Sequence, residues 1–514
     1  MSGAVRARLF GEWGVIGSMA ALRLVVHIRT IRGYGYFRDE FYYVACGRHL
    51  DWGYVDHPPF VALVAWIVSD TLGDSLVALR LLPALAGALV VLLTGLMARR
   101  LGGGRFAQAL ACLAVTVAPA SLWLHHIFSM NAFEQVFWAL GAYLVLRILQ
   151  DDDPRLWLAF GLLAGLGLQN KHSMLFFGFG IAAGLLLTPA RKHLRSPWLW
   201  AGGAIALLVF LPNLVWQVQH GWPTLEFMRN AQERKITPLP ALTFLQAQLL
   251  QMQPLSAPLW LAGLGFLVLS ARGRRYAALG WAFLAILAVF LAQRAKPYYL
   301  APAYPMLFAA GAVAAEGLAA RRGWAWLRPA ALVLLALGGA ATAPFAIPAL
   351  PVDAYVGYAQ SLGVKPGTDE RHALRRLPQF FADMFGWPEM VAEVARAWQE
   401  LTPEERARTV IFASNYGEAG AIDLLGRRYG LPPTRSGHNS YWLWGPGSDP
   451  GPDWIVLTVG ESREDVEKTF GDVREVGRTR CAECMPYEDA RPIYLGRQPR
   501  LGLREVWPLV KDYI

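Results

Sequence analysis

The sequence is poor in charge and in cysteine. Asp, Glu, Lys and Arg make up 17% of the 514 residues against 55% hydrophobic, and the mean hydropathy is +0.31. Soluble domains carry roughly a quarter charged residues, so this composition excludes an ordinary soluble globular protein and points to the membrane class. Four cysteines are too few for a disulfide framework. Cys46 and Cys112 stand alone, and Cys481-Ala-Glu-Cys484 is a C-x-x-C without the second pair or the His couple of a zinc site. For that pair two readings stay open, a local disulfide if the region lies outside the cytoplasm, or two unrelated thiols. No cleavable signal peptide stands out: the first apolar run, about Val15 to Val26, is interrupted by Arg23, lacks an Ala-x-Ala site and reads as a retained helix. A nucleotide-binding fingerprint is also missing, because Gly161-x-x-x-Gly165 and Gly167 fall inside an apolar stretch, where small residues make a close-packing face.

What is present is a series of apolar runs separated by basic clusters. A membrane span needs about twenty mostly apolar residues, and segments of that kind occur near 10–30, 77–98, 106–124, 132–149, 155–170, 173–189, 198–216, 256–271, 276–293, 299–319 and 328–348. The net charge of +10 does not indicate nucleic acid, since Lys and Arg cluster at the ends of these runs. Arg6-Ala7-Arg8, Arg99-Arg100-Arg105, Arg191-Lys192-His193-Arg195, Arg272-Arg274-Arg275 and Arg321-Arg322 share one face if each run spans, and that face is cytoplasmic. Residues 31–76, 217–255 and everything after about 350 then lie on the exoplasmic side. The run Phe60 to Leu72 follows Pro58-Pro59 and is too short to span, so it reads as a helix lying in the interface. From about Val352 polarity rises. Thr409–Ala413 and Trp454–Thr458 read as buried strands, and Glu418–Tyr429 and Arg463–Phe470 as helices. The expected architecture is an α-helical integral membrane protein with about eleven spans in residues 1–350, and a soluble exoplasmic α/β domain in 351–514.

The chemistry-bearing groups gather on the exoplasmic side. Phe37-Arg38-Asp39-Glu40-Phe41-Tyr42-Tyr43 is followed closely by Asp51-Trp52-Gly53-Tyr54-Val55-Asp56-His57-Pro58-Pro59. Acids beside hydrocarbon are costly unless they serve a function. A partly shielded carboxylate suits a general base, and the aromatics around Asp39-Glu40, Tyr43 among them, suit a carbohydrate or lipid-headgroup site; the bland alternative is a solvated helix cap. Asp56 and His57 can share a divalent cation, or His57 can offer a charge to a phosphate, although two ligands alone do not make a metal site. His125-His126 lies close to Asn131 and Glu134, while Asn170-Lys171-His172 and Arg294-Ala295-Lys296-Pro297-Tyr298-Tyr299 place cations on the face that the positive-inside bias leaves poor in them. An anionic lipid headgroup would explain those cations; ordinary snorkelling is the alternative.

Several of these motifs together carry a resemblance. Phe37-x-Asp39-Glu40-x-Tyr42-Tyr43, Trp52-Gly53-Tyr54-x-Asp56-His57-Pro58-Pro59, Gly161-x-x-x-Gly165-Leu166-Gly167 leading to Lys171, Pro212-Asn213-Leu214-x-Trp216, Gly221-Trp222-Pro223 and Lys296-Pro297-x-Tyr299-x-x-Pro302-x-x-Pro305 resemble the bacterial branch of the dolichyl-phosphate-mannose protein mannosyltransferase family. Their order and spacing cover about residues 30–310. The resemblance implies a GT-C bundle with a catalytic first exoplasmic loop, in the bacterial inner membrane. The implied activity is transfer of a sugar from a polyprenyl-phosphate carrier to an envelope glycan, lipid or protein, with no nucleotide cofactor. It makes Asp39 the catalytic carboxylate with Glu40 beside it, and gives Asp56 and His57 to the metal and phosphate region. There the lipid A aminoarabinose transferases of the family carry Glu-Lys before the same Pro-Pro. Tyr299 matches a tyrosine that contacts the carrier phosphate, with Lys296 next to it; Lys171 and Arg294 are further cations for the leaving phosphate. A protein O-glycosyltransferase of the same mechanism is the alternative acceptor class. A lipid-linked sugar transporter or flippase is the alternative from a different class, disfavoured because the polar groups gather at one face rather than at the midplane.

Overall fold

The computed structural model describes residues 12–514, so Arg6 and Arg8 and the start of the first expected helix lie outside the described residues. The chain divides into two compact units. One comprises residues up to Ile31, Arg80–Leu214 and Pro238–Ala349; the other comprises Arg32–Leu79, Val215–Thr237 and Leu350–Ile514. Leu350–Ile514 therefore shares its unit with two segments that the sequence assigns to the membrane half.

Among the described residues six helices are long and apolar enough to cross a membrane: Leu76–Arg100, Met130–Asp151, Pro197–Gln219, Arg274–Ala292, Pro297–Arg322 and Leu327–Phe345. This is a multi-pass membrane protein. Of the other five expected segments, the first is the 19-residue helix Glu12–Thr30, which carries Arg23 and Arg29, and the remaining four fall in shorter or bent helices, with prolines at several of the breaks. Arg105–Val117 stops where Ala118 is extended ahead of Pro119, the conformation a following proline imposes. Met174–Leu186 turns by 112° into Pro189–Arg195, and Ala241–Gln251 turns by 94° into Pro254–Leu269; counting each bent pair as one span raises the total to eight. Pro197–Gln219 exposes Leu207, Leu208, Leu211 and Val218 along its length, a surface stable only against hydrocarbon.

Glycines set the closest helix contacts of the first unit. A Cβ on Gly161 would stand 2.0 Å from the Gly202 carbonyl oxygen, and one on Gly202 would stand 2.2 Å from that of Trp157. Leu156–Asn170 and Pro197–Gln219 thus meet backbone to backbone, as the small-residue pattern implies. Gly263 and Gly311 do the same for Ala257–Leu269 and Tyr304–Arg322, with carbonyl oxygens 2.0 and 1.9 Å from the missing Cβ positions.

In the second unit a four-stranded sheet has the order β1-β2-β4-β3. Its strands are β1 (Thr409–Ala413), β2 (Ile455–Val459), β3 (Phe470–Arg478) and β4 (Pro492–Pro499). β1 and β2 are parallel and linked through the helix Tyr416–Leu425, whereas β4 runs antiparallel to both β2 and β3. β2 is buried throughout, which explains why it and β1 are visible as apolar runs. β3 alternates half-buried residues with exposed charges and leaves a weaker trace. Asn415 caps Tyr416–Leu425, its side chain accepting from the Gly417 and Glu418 amides. That helix packs against Arg38–Arg48: a Cβ on Gly420 would stand 2.8 Å from Phe41, and one on Gly417 would stand 2.4 Å from the Arg38 side chain. Two glycines on the sheet's own helix thereby hold the acidic loop of residues 32–79 in place.

Candidate active site

The helix Arg38–Arg48 starts with the Glu40 carboxylate accepting from the Phe37 amide at 2.8 Å, while the Glu40 amide donates to the Phe37 carbonyl at 2.9 Å. Glu40 is fully buried and one of its oxygens is committed to the helix end. Asp39, one position earlier, keeps 31% of its side chain exposed. Its Oδ1 accepts from the Tyr416 hydroxyl at 2.8 Å and lies 3.6 Å from Arg38 Nε. Arg38 sits 5.4 Å from the centre of the Tyr416 ring and donates to the Tyr487 hydroxyl at 2.7 Å. Asp383 completes the group: its backbone oxygen accepts from the Arg38 amide at 3.1 Å, and its buried carboxyl is pushed up to about 6 by burial, against the pull of Arg38. Asp39 is thus an accessible carboxylate held by a phenol and a guanidinium.

Asp56 is held in a parallel way. Its Oδ1 accepts from the Tyr42 hydroxyl at 2.7 Å. Tyr42 in turn accepts from Ser440 at 2.7 Å, and the Val55 amide donates to the same Ser440 oxygen at 3.1 Å. Burial raises the Asp56 carboxyl above the ordinary carboxylate range. The rings of Tyr42 and Tyr416 lie 4.7 Å apart, tilted by 33°, so two adjacent phenols grip the two carboxylates. His57 is buried, with its ring stacked on Tyr54 at 4.6 Å and edge-on to Tyr43 at 5.1 Å. Its Nδ1–H donates to the Pro58 carbonyl at 2.8 Å, and burial lowers its basicity. Its Nε2 is buried without a hydrogen-bond partner. Among the described residues no three His, Cys, Asp or Glu side chains converge as a metal site.

The first unit carries its own polar cluster. Lys171 Nζ donates to Asn131 Oδ1 at 2.7 Å and to Glu134 Oε2 at 2.8 Å, and lies 4.8 Å above the Tyr299 ring. Ser173 donates to the second Glu134 oxygen. Lys171 and Glu134 are 13% and 5% exposed, so the cation that sequence assigns to a lipid phosphate is already paired. His172 Nε2 lies 3.1 Å from Asn213 Oδ1. Arg294 is exposed with φ +51°, and Lys296 is half-buried at the start of the turn Pro297–Ala303 that carries Tyr299. His125 and His126 are buried beside Arg23 and Arg80, at 3.4 Å each.

Within the second unit Asp39, Asp56, His57 and Tyr43 come together; within the first, Lys171 and Tyr299 do. The sequence alone gives no role to Tyr416, Asp383, Ser440 and Tyr487, which hold the acidic loop from 345 (Arg38 to Asp383) to 449 (Arg38 to Tyr487) positions away. The one local trace of this arrangement is Asn415-Tyr416-Gly417, a helix cap followed by a glycine.

The family model described as dolichyl-phosphate-mannose-protein mannosyltransferase matches residues 56–216, a stretch that starts at Asp56 and includes Lys171. The lipid A galacturonosyltransferase RgtD of Rhizobium johnstonii is 31% identical over 189 residues, 36% of this chain and 39% of that protein. The chain thus matches about two fifths of the length of this curated relative. ArnT from Cupriavidus metallidurans, in crystal structures bound to undecaprenyl phosphate and in the apo state, superposes with a TM-score of 0.63 at 17% identity, covering 94% of this chain and 98% of that one. The ArnT likeness carries the fold of nearly the whole chain, and the sequence matches carry its kinship. Residues 56–216 are thus similar to the dolichyl-phosphate-mannose-protein mannosyltransferase family, and the fold of nearly the whole chain is similar to that of ArnT.

Proposed function

We propose that this protein is an inverting glycosyltransferase that moves a sugar from a polyprenyl-phosphate donor to an acceptor hydroxyl of an envelope glycan or lipopolysaccharide, at the exoplasmic face of the bacterial inner membrane. The observation that carries the proposal is Asp39: a carboxylate with 31% of its side chain exposed, fixed by Tyr416 and Arg38 at the start of a short helix. A base of that kind removes the proton of an acceptor hydroxyl as its oxygen attacks the anomeric carbon. The bond from that carbon to the phosphate oxygen breaks, and polyprenyl phosphate departs with the electron pair. One displacement inverts the centre. Charge that builds on the phosphate is offset by cations, for which Lys296 and Arg294 stand beside Tyr299 in the sequence. Lys171, paired with Glu134, holds the region under Tyr299. In this reading Glu40 acts through the helix cap rather than on substrate, and the exoplasmic side carries residues 31–76, 217–255 and 350–514. A divalent cation at Asp56 would have one protein carboxylate and an oxygen already bonded to Tyr42; activity that survives EDTA is the corresponding expectation.

The test is transfer of radiolabelled sugar from synthetic polyprenyl-phosphate sugars by the purified protein in lipid nanodiscs. Wild type transfers label to a lipopolysaccharide acceptor, and Asp39→Asn loses at least a thousandfold in rate while its melting temperature is kept. Substantial transfer by Asp39→Asn would reject Asp39 as the base. Uptake of the intact lipid-linked sugar into sealed vesicles without any transfer would instead identify a transporter.

A further inference from the structure

A cavity of about 240 Å³ lies within the second unit, among His49, Asp51, Trp216, His220, Ser440 and Trp444. None of the proposed catalytic groups lines it. Its walls are flat: the His49 imidazole stacks on Trp444 at 4.1 Å and 11°, and the His220 imidazole stacks on Trp216 at 4.2 Å and 22°. Both imidazoles have Nδ1 bonded to a carbonyl one helical turn earlier, His49 to Ala45 at 3.1 Å and His220 to Trp216 at 2.9 Å. In the neutral imidazole Nδ1 then carries the proton and Nε2 is left as an acceptor. Trp216 supplies the converse group. It is 4% exposed, and its indole N–H has no partner, an unmet donor of the kind buried sites are built to avoid. Asp51 is exposed, with Oδ1 accepting from the Trp52 amide at 2.7 Å. Ser440 adds a hydroxyl.

We propose that this cavity binds one hexopyranose ring, as the acceptor-side sugar subsite of the transferase; the assignment to the acceptor rests on the reading given under Proposed function. Three observations point to a sugar rather than an anion or an alkyl chain. No Lys or Arg is among the lining residues, which disfavours a phosphate. The polar groups mix donors and acceptors around aromatic faces, as a ring of hydroxyls with one C–H face requires. The volume suits a single ring rather than a lipid tail. Ser440 also joins the cavity to the site, since it donates to Tyr42, which holds Asp56. A sugar hydroxyl bonded to Ser440 would therefore be felt at Asp56 through two hydrogen bonds.

The test is saturation-transfer NMR on the full-length protein in lipid nanodiscs, free of sugar-based detergents, with the methyl glycosides of glucose, galactose, mannose and N-acetylglucosamine as probes. Wild type and Asp39→Asn are expected to give saturation transfer with at least one glycoside. The signal falls at least fivefold in Trp444→Ala and in Asp51→Asn, is largely kept in Trp444→Phe, and is not displaced by inorganic phosphate. Asp51 is exposed, so its variant folds even if Trp444→Ala does not. Absence of signal for all four glycosides in wild type, a signal unchanged in both loss variants, or displacement by phosphate would overturn the assignment. Sugar transfer without glycoside binding would sink the cavity alone, whereas glycoside binding in a protein that transfers from no donor would uphold the sugar site and reject the transferase reading.

Discussion

Replacing Tyr416 by Phe removes one hydroxyl and keeps the ring that packs against Tyr42 at 4.7 Å. The hydroxyl donates to Asp39 at 2.8 Å, and hydrogen bonds to charged groups contribute about 1.5–3 kcal/mol. Asp39 is 31% exposed and lies 3.6 Å from Arg38 Nε, so water and the guanidinium recover part of the loss. The lower end of the range applies, about 1.5 kcal/mol, or roughly tenfold in rate. Because the bond orients the base and does not touch the donor, the change is expected in kcat, with KM for the lipid-linked sugar within about twofold. Steady-state transfer in nanodiscs measures both. The same substitution in an Asp39→Asn background should leave the residual rate unchanged, because the base that Tyr416 orients is gone. A kcat within twofold of wild type, or a tenfold loss that persists in the Asp39→Asn background, would refute the view that Tyr416 works by holding Asp39.

Glu134→Gln leaves Lys171 buried without its counter-charge and should lower stability by about 3 kcal/mol or more; the double variant Glu134→Leu, Lys171→Met should recover most of it, as read by melting temperature in nanodiscs. Asp383 gives a pH dependence. Its carboxyl titrates near 6 when folded and at roughly 3.9 when unfolded, so the folded chain holds a proton that the unfolded chain has lost between those values. Stability therefore falls as pH rises from about 4 to about 6, by about 3 kcal/mol at roughly 1.4 kcal/mol per unit, and is flat above. Melting temperatures across that range should show a steeper decline in wild type than in Asp383→Asn. Gly161→Leu should destabilise the membrane unit severely, because a Cβ at Gly161 already lies 2.0 Å from the Gly202 carbonyl oxygen; a melting temperature near wild type would show that the two helices separate without cost.

The membrane character, the six long helices and strands β1 and β2 can be read along the chain because each depends on local periodicity and apolar content. The acidic loop stands out for the same local reason, as Asp39, Glu40 and Asp56 beside apolar runs. Their division of labour is not local. Glu40 faces the helix end, where its carboxylate meets the Phe37 amide, while Asp39 faces Tyr416, 377 positions away. The charge of Lys171 reads as free until the fold brings Glu134 to it from 37 positions upstream. Likewise, the polar tail after about 350 reads as a separate domain, yet Gly417 and Gly420 seat the first loop against it. Sequence by itself determined which segments are apolar and which residue types stand beside them. Only the tertiary structure decided which carboxylate is capped, which is presented and which cation is already neutralised, because burial and pairing are set by side chains that meet across hundreds of residues.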